Sequence, residues 1–188
     1  MYAKSFIQFV FEQSNPLQPR ILPIQKDDLP AIFDICVEAF GEVDTPEGIR
    51  GFLGSETDWS ISKKCVVGDE IIGCYLFNTQ HVSSMLDQCG CAKEDYSKYE
   101  GLLGLQGLGL ALKPEYRGSG IGRMMRDVPL SMGYDYIWGR HLKGLHNVDN
   151  WITFGRRVIG ENDDEYVTIM DLKIIHRDGQ EVRRFRKQ

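Results

Sequence analysis

The residues best equipped for chemistry stand together in Arg117-Gly118-Ser119-Gly120-Ile121-Gly122-Arg123. Glycines on alternate positions remove side chains where the chain must turn. Consecutive backbone N–H groups can then converge on one concavity that suits anionic oxygens. Arg117 and Arg123 flank it and can pair with phosphate. A helix beginning near Gly120 would add about half a positive charge at its N-terminus. Together these features suit a pyrophosphate. The spacing is G-x-G-x-G, which is neither the G-x-x-x-x-G-K-S/T phosphate loop nor the G-x-G-x-x-G dinucleotide turn. The loop alone leaves open a second reading, a glycine-rich turn that binds nothing.

Proton-transfer candidates are few. His141 ends an apolar run and His146 follows five residues later; imidazole titrates near neutrality. Tyr136 is a candidate acid, with a core tyrosine as the other reading. For His141 the other reading is a hydrogen-bonded structural histidine. The cysteines are Cys36, Cys65, Cys74, Cys89 and Cys91. An odd number at irregular spacing argues against a disulfide framework and for a reducing, cytoplasmic setting. Cys89-Gly90-Cys91 has no second Cys or His pair at ligand spacing, so no metal site is expected. Asp163-Asp164-Glu165 reads as a solvated turn.

The elements that must position the loop follow from hydrophobic period and turn chemistry. Pro16, Pro19 and Pro23 mark an extended entry, with a strand over Ile21–Gln25. Asp27 or Asp28 caps a helix with Pro30 in its first turn, whose buried stripe is Leu29, Ile32, Phe33, Cys36, Ala39 and Phe40. Thr45-Pro46-Glu47 starts another helix that ends near Gly54. Cys65–Val67, Gly68-Asp69 and Ile71–Phe77 read as a β-hairpin. Residues 79–101 are a polar, irregular excursion. Leu102–Leu112 is a strand whose glycines Gly104, Gly107 and Gly109 mark a bulge or the close approach of a ligand. After the loop comes a short helix that Pro129 stops near Val128. Tyr134–His141 is a strand, Asn147–Val158 a helix and Glu165–Ile175 a final strand. A hairpin ahead of alternating strands and helices indicates a mixed α/β (α+β) sheet.

The chain has 188 residues, which suits one domain able to bury a core without staples. With 42% hydrophobic and 26% charged residues it is no disordered, collagen-like or coiled-coil sequence. No apolar run approaches the roughly 20 residues of a membrane helix, and Ser5–Phe11 makes a poor signal peptide. The net charge of −5 divides into −8 over residues 1–100 and +3 over 101–188. That asymmetry fits a cationic substrate beside an anionic cofactor. The basic tail Arg183, Arg184, Arg186 and Lys187 accounts for the C-terminal excess equally well. A nucleic-acid-binding domain would be far more basic; no nucleic-acid or membrane partner is expected.

The stretch Leu110-Ala111-Leu112-Lys113-Pro114-Glu115-Tyr116-Arg117-Gly118-Ser119-Gly120-Ile121-Gly122 resembles the acetyl-CoA signature of the GNAT N-acetyltransferase superfamily, Q/R-x-x-G-x-G/A after a strand. Arg117, Gly120 and Gly122 fill its fixed positions, and the order of elements over residues 20–175 is similar. The resemblance implies a mostly antiparallel mixed sheet with a splayed, bulged strand pair and flanking helices. It also implies one acyltransferase domain over 1–188, with an extension at 1–19 and an insertion at 79–101. Acetyl-CoA would be held by the backbones of Leu110, Ala111 and Leu112, by Arg117, Gly118, Ser119, Gly120, Ile121, Gly122 and Arg123, and by Asn147 and Phe154 on a later helix. The thioester would lie between the splayed strands, with an oxyanion donor near Leu110. A primary amine, free or on a peptide, would attack it directly, in a monomer or homodimer. The family's usual base aligns with Gln106 and its usual Tyr acid with Phe154, neither ionisable. Catalysis would then use positioning and a remote base, or His141 and Tyr136. The third option is a CoA-binding domain without turnover.

Overall fold

The computed structural model describes residues 18–42, 44–84, 91–143, 151–172, 174–177 and 180–183. Asn147, His146, Cys89 and the entry segment through Pro16 lie outside them. The chain forms two compact units. The first runs to Leu76 and resumes over Gly109–Arg126; the second takes Phe77–Leu108 and resumes at Asp127.

The first unit begins with β1 (Arg20–Pro23), a 3-10 turn over Lys26–Asp28 and helix α1 (Leu29–Phe40). Pro30 sits in the first turn of α1 as expected, where its missing N–H leaves no bond unmade. Ile32, Ile35 and Cys36 are the buried residues of α1. Ile35 was absent from the expected stripe, while Leu29, Phe33, Ala39 and Phe40 are only half-buried. Helix α2 (Pro46–Glu56) runs two residues past Gly54, and the Thr45 hydroxyl caps it by accepting from the Gly48 N–H. The hairpin forms as β2 (Lys63–Val67) and β3 (Glu70–Asn78), with Gly68 at φ 59° in its turn. Cys65, Val66, Ile72 and Cys74 are buried.

In the second unit the excursion holds short helical turns, including α3 (Lys93–Tyr96), and β4 (Gly104–Leu112) begins after it. Beyond β4, the first unit carries α4 (Ile121–Arg126). A 3-10 turn over Val128–Ser131 then contains Pro129, so the helix stops where proline requires. Strands β5 (Tyr136–Leu142), β6 (Arg157–Glu161) and β7 (Glu165–Asp171) follow. Tyr136, Trp138, Ile159, Val167 and Ile169 form one buried cluster with Val82 and Tyr99.

Two expectations are corrected here. The helix over Asn147–Val158 does not reach Val158. Gly155, at φ 86°, ends it: Gly155 N–H donates to the Ile152 carbonyl at 2.9 Å and Arg156 N–H to that of Trp151 at 3.2 Å. This is the double hydrogen bond of a glycine C-cap. Arg157–Glu161 is released to pair with β7. The final strand is also broken: β7 ends at Asp171, and β8 (Ile174–Arg177) pairs instead with β9 (Gln180–Arg183).

The seven-stranded sheet has the order β1-β2-β3-β4-β5-β7-β6. β1–β2, β2–β3, β5–β7 and β6–β7 are antiparallel, whereas β4–β5 is parallel. That parallel pairing covers only Gly104↔Tyr136 to Gln106↔Trp138. β5 continues to pair with β7 as far as Leu142.

Candidate functional site

The loop predicted to do chemistry is open. After β4 a 3-10 turn over Pro114–Tyr116 leads to an extended Arg117. Gly118 and Gly120 adopt φ 76° and 88°, a conformation that side chains resist. A Cβ at either position would meet nothing within 4 Å, so backbone conformation selects glycine there, not lack of room. Among the described residues, the N–H groups of Gly118, Ser119, Gly120, Ile121 and Gly122 meet no acceptor, while the Gly120 carbonyl receives Arg123 and Met124. Arg117 through Gly120 and Arg123 are exposed, and Ile121 is buried and anchors the loop to its own unit. The result is a run of free donors on an exposed turn, able to hold an anion. The Ser119 hydroxyl donates to the Tyr116 carbonyl at 2.5 Å, and Arg117 Nε to that of Leu112 at 3.1 Å.

The charges beside this loop are unequal in availability. Lys113 Nζ lies 2.5 Å from Glu70 Oε1, and the Tyr116 hydroxyl donates to Glu70 Oε2 at 3.1 Å. The hydrogen bond to Glu70 raises the Lys113 pKa, and those from Lys113 and Tyr116 lower that of Glu70. Lys113 is therefore already neutralised. Arg117 and Arg123 remain to meet an anion at the nest.

β4 reverses its hydrogen-bonding sides between its two ends. At its start the Leu103 carbonyl accepts from the β5-side Asp135 N–H at 2.9 Å, and a Cβ on Gly139 of β5 would lie 3.1 Å from the Gly107 carbonyl oxygen. Odd-numbered residues thus face β5. At its end Lys113 N–H donates to the Ile72 carbonyl of β3 at 2.9 Å, and a Cβ on Gly73 would lie 2.7 Å from the Ala111 oxygen. Odd-numbered residues there face β3. An unbroken strand keeps one parity throughout, so one residue is inserted between Gly107 and Ala111. This is the bulge the glycines foreshadowed. Downstream of it Ala111 turns its backbone to β3, whereas Leu110 and Leu112 turn theirs away. Of the three residues expected to carry a ligand along the backbone, Leu110 turns its backbone away from β3, and so does Leu112, whose carbonyl already accepts from Arg117 Nε.

The proton-transfer candidates are placed less openly. Tyr136 is fully buried, and its hydroxyl accepts from Val82 N–H at 3.2 Å. Burial, more than its other surroundings, raises its pKa. His141 is 6% exposed; its Nε2 lies 2.7 Å from the Thr168 hydroxyl and its ring 5.1 Å from that of Trp151. Arg156, also buried, donates to the same Thr168 hydroxyl and lies over Trp151. Sequence reasoning missed Thr168 and Arg156, because the β5–β7 register brings Thr168 beside His141 and Arg156 stands just ahead of β6, which pairs with β7. Gln106 is buried at the last paired position of β4, and Phe154 is half-buried at the capped helix end. A hollow of about 390 Å³ lined by His81, Leu103, Met132 and Tyr134 opens at Gly104 in the second unit. No group of three or more ligating side chains that could hold a metal occurs among the described residues.

A protein from Pyrococcus horikoshii OT3 superposes with a TM-score of 0.63 at 16% identity, over 82% of this chain and 98% of its own. The PaiA N-acetyltransferase of Thermoplasma acidophilum, solved with coenzyme A, superposes at 0.55 and 12% identity over 82% and 99%. The ribosomal-protein-S18-alanine N-acetyltransferase of Escherichia coli superposes at 0.58 and 12% identity over 86% and 98%. The chain has the GNAT fold. No protein-family model matches the sequence, and no curated protein is similar to it at the sequence level. The parallel strand pair β4–β5 of this fold is present, paired over three residues. At these identities the likeness is one of fold. No helix among the described residues is long and apolar enough to cross a membrane.

Proposed function

We propose that the chain is an acetyl-CoA-dependent N-acyltransferase that moves an acetyl group to a primary amine by direct attack on the thioester. One observation carries the reading: five free N–H groups on an exposed, glycine-shaped turn follow a strand in which Leu110 turns its backbone groups away from β3. The turn suits the diphosphate, with Arg117 and Arg123 at its sides. The backbone of Leu110 and the N–H of Leu112 suit the amides of the pantetheine arm. A backbone N–H near Leu110 would stabilise the oxyanion of the tetrahedral adduct. The coenzyme A in the PaiA structure supports the same cofactor here. Residues 1–188 act in this reading as one domain, with 1–19 an extension and 79–101 an insertion. The described cysteines are free thiols, in keeping with a reducing, cytoplasmic setting. His141 and Tyr136 are assigned to structure, because each is buried and already hydrogen-bonded.

The test is isothermal titration of coenzyme A together with thiol release from acetyl-CoA over a panel of amines. Gly120→Ala forces a side chain into a left-handed turn and is expected to weaken CoA binding about tenfold. Stabilisation by ATP but not by CoA would overturn the reading. CoA binding without turnover on any amine would favour the second reading, a binding domain, for which the non-ionisable Gln106 and Phe154 speak.

A further inference from the structure

Two sulfurs of the first unit meet at a place that acetyl transfer does not use. Cys36 lies one turn after Ile32 on the buried stripe of α1, and Cys74 lies inside β3. Lys64 stands opposite Cys74 in the β2–β3 register and reaches Asp28 at the head of α1, so α1 covers this face of the hairpin. Both cysteines are 0% exposed, and their Sγ atoms are 3.5 Å apart in a hydrogen bond. Cys65 follows Lys64 on β2, and alternation along the strand turns it to the other face. All three are free thiols.

A thiol pair in contact is one bond from a disulfide, since the gap exceeds an S–S bond by about 1.5 Å. In a reducing compartment such a bond is transient and serves redox sensing more often than architecture. We propose that Cys36 and Cys74 form a redox modification site, at which a peroxide converts the pair to a disulfide that fastens α1 to β3. The site is independent of the acetyl-transfer reading.

The two sulfurs have different parts. The hydrogen bond with Cys36, together with burial, pushes the pKa of the Cys74 thiol up, against the Ala111 N–H, which lowers it. Cys74 therefore keeps its proton, and Cys36 is the sulfur that attacks. Its thiolate attacks one peroxide oxygen, the O–O bond breaks, and the hydroxide released takes the proton that Cys36 gave up and leaves as water. Cys36 is then a sulfenic acid. Cys74 Sγ attacks the Cys36 sulfur, the S–S bond forms, the S–O bond breaks, and the Cys74 proton leaves with that oxygen as a second water. Two electrons pass from the two thiols to the peroxide. Access comes through the end of α1, because Cys36 lies four residues before Phe40, where the helix ends and frays first.

The experiment treats the reduced full chain with hydrogen peroxide. The remaining thiols are blocked in denaturant, disulfides are reduced, and the released thiols take a second label for peptide mapping. The second label is expected on Cys36 and Cys74 in equal amounts, with the first on Cys65. The bond joins residues 38 apart in sequence. Its closure should raise the melting temperature by at least about 5 °C, and dithiothreitol should reverse the rise. Cys36→Ser and Cys74→Ser should each abolish it. The map of the wild type carries the test if either variant fails to fold. First label alone on both cysteines, a bridge from either to another cysteine, or sulfinic acid on one without a bridge would overturn the proposal. A mapped bridge that left the melting temperature unchanged would overturn the fastening of α1. None of these readouts involves CoA or an amine, so acetyl transfer stands or falls separately.

Discussion

Asp28 shows how one carboxylate can secure the entry to a unit. Its Oδ2 accepts from the Gln25 N–H and from Lys64 Nζ, each at 2.6 Å, so it joins the start of α1 to β2. The two side chains are only 15% and 13% exposed, so bulk water screens the pair incompletely. Burial pushes the Asp28 carboxyl up, but the hydrogen bonds from Lys64 and Gln25 and the Lys64 charge outweigh it, and the pKa falls below 3.8. A lowered folded pKa means stability that is fully present above the unfolded value and lost as pH falls through the folded one. Asp28→Asn should therefore melt lower than wild type by a constant margin between about pH 5 and 8. The margin should close as pH drops below 3.8. Melting curves by circular dichroism across that range check it, and a margin independent of pH would mean that the charge on Asp28 contributes nothing.

At the scale of elements, Gly155 determines where a helix gives way to an edge strand. Its φ of 86° and its paired C-cap bonds free Arg157–Glu161 to join β7. Gly155→Ala should lower stability by about 1 kcal/mol, a fall of roughly 2–4 °C in melting temperature for a chain of this size. Gly155→Asn should lose less. Chemical denaturation of both variants measures this, and equal stability of the alanine variant and wild type would refute the strain argument. This junction also shows what the sequence can and cannot reveal. Thr45-Pro46, Gly68-Asp69 and Pro129 were legible because their chemistry acts within a few residues. Apolar residues at 151, 154, 158 and 159 satisfy a helical period, while Gly155 and the β-branched pair Val158-Ile159 are the contrary signal. The glycine-shaped turn after β4 was legible for the same local reason, its positive φ at Gly118 and Gly120. The slip in β4 was only foreshadowed by Gly107 and Gly109, since its parity is set by bonds to two different neighbours. The burial of His141 was not legible at all, for it depends on Thr168 across a strand register.

For the whole molecule, the question is how a net charge of −5 accommodates an anionic cofactor. Two opposing terms act. The summed charge repels a polyanion at long range, and Arg117 and Arg123 attract it at contact. At physiological salt the Debye length is about 8 Å, so charges beyond that distance are largely screened while the loop cations are not. The contact term should dominate, and the two terms differ in sign. If contact wins, CoA affinity falls as salt rises; if net charge wins, it rises. Titration calorimetry between about 50 mM and 500 mM salt is expected to show a fall. Arg117→Gln should weaken binding about two- to fivefold at the low end, the range for one exposed ion pair. The gap should narrow at the high end, because the amide hydrogen bonds of Gly118–Gly122 remain and depend little on salt. Affinity that rose with salt, or an Arg117→Gln deficit constant across the range, would remove the arginines from the binding site and leave the amide nest to hold the diphosphate alone.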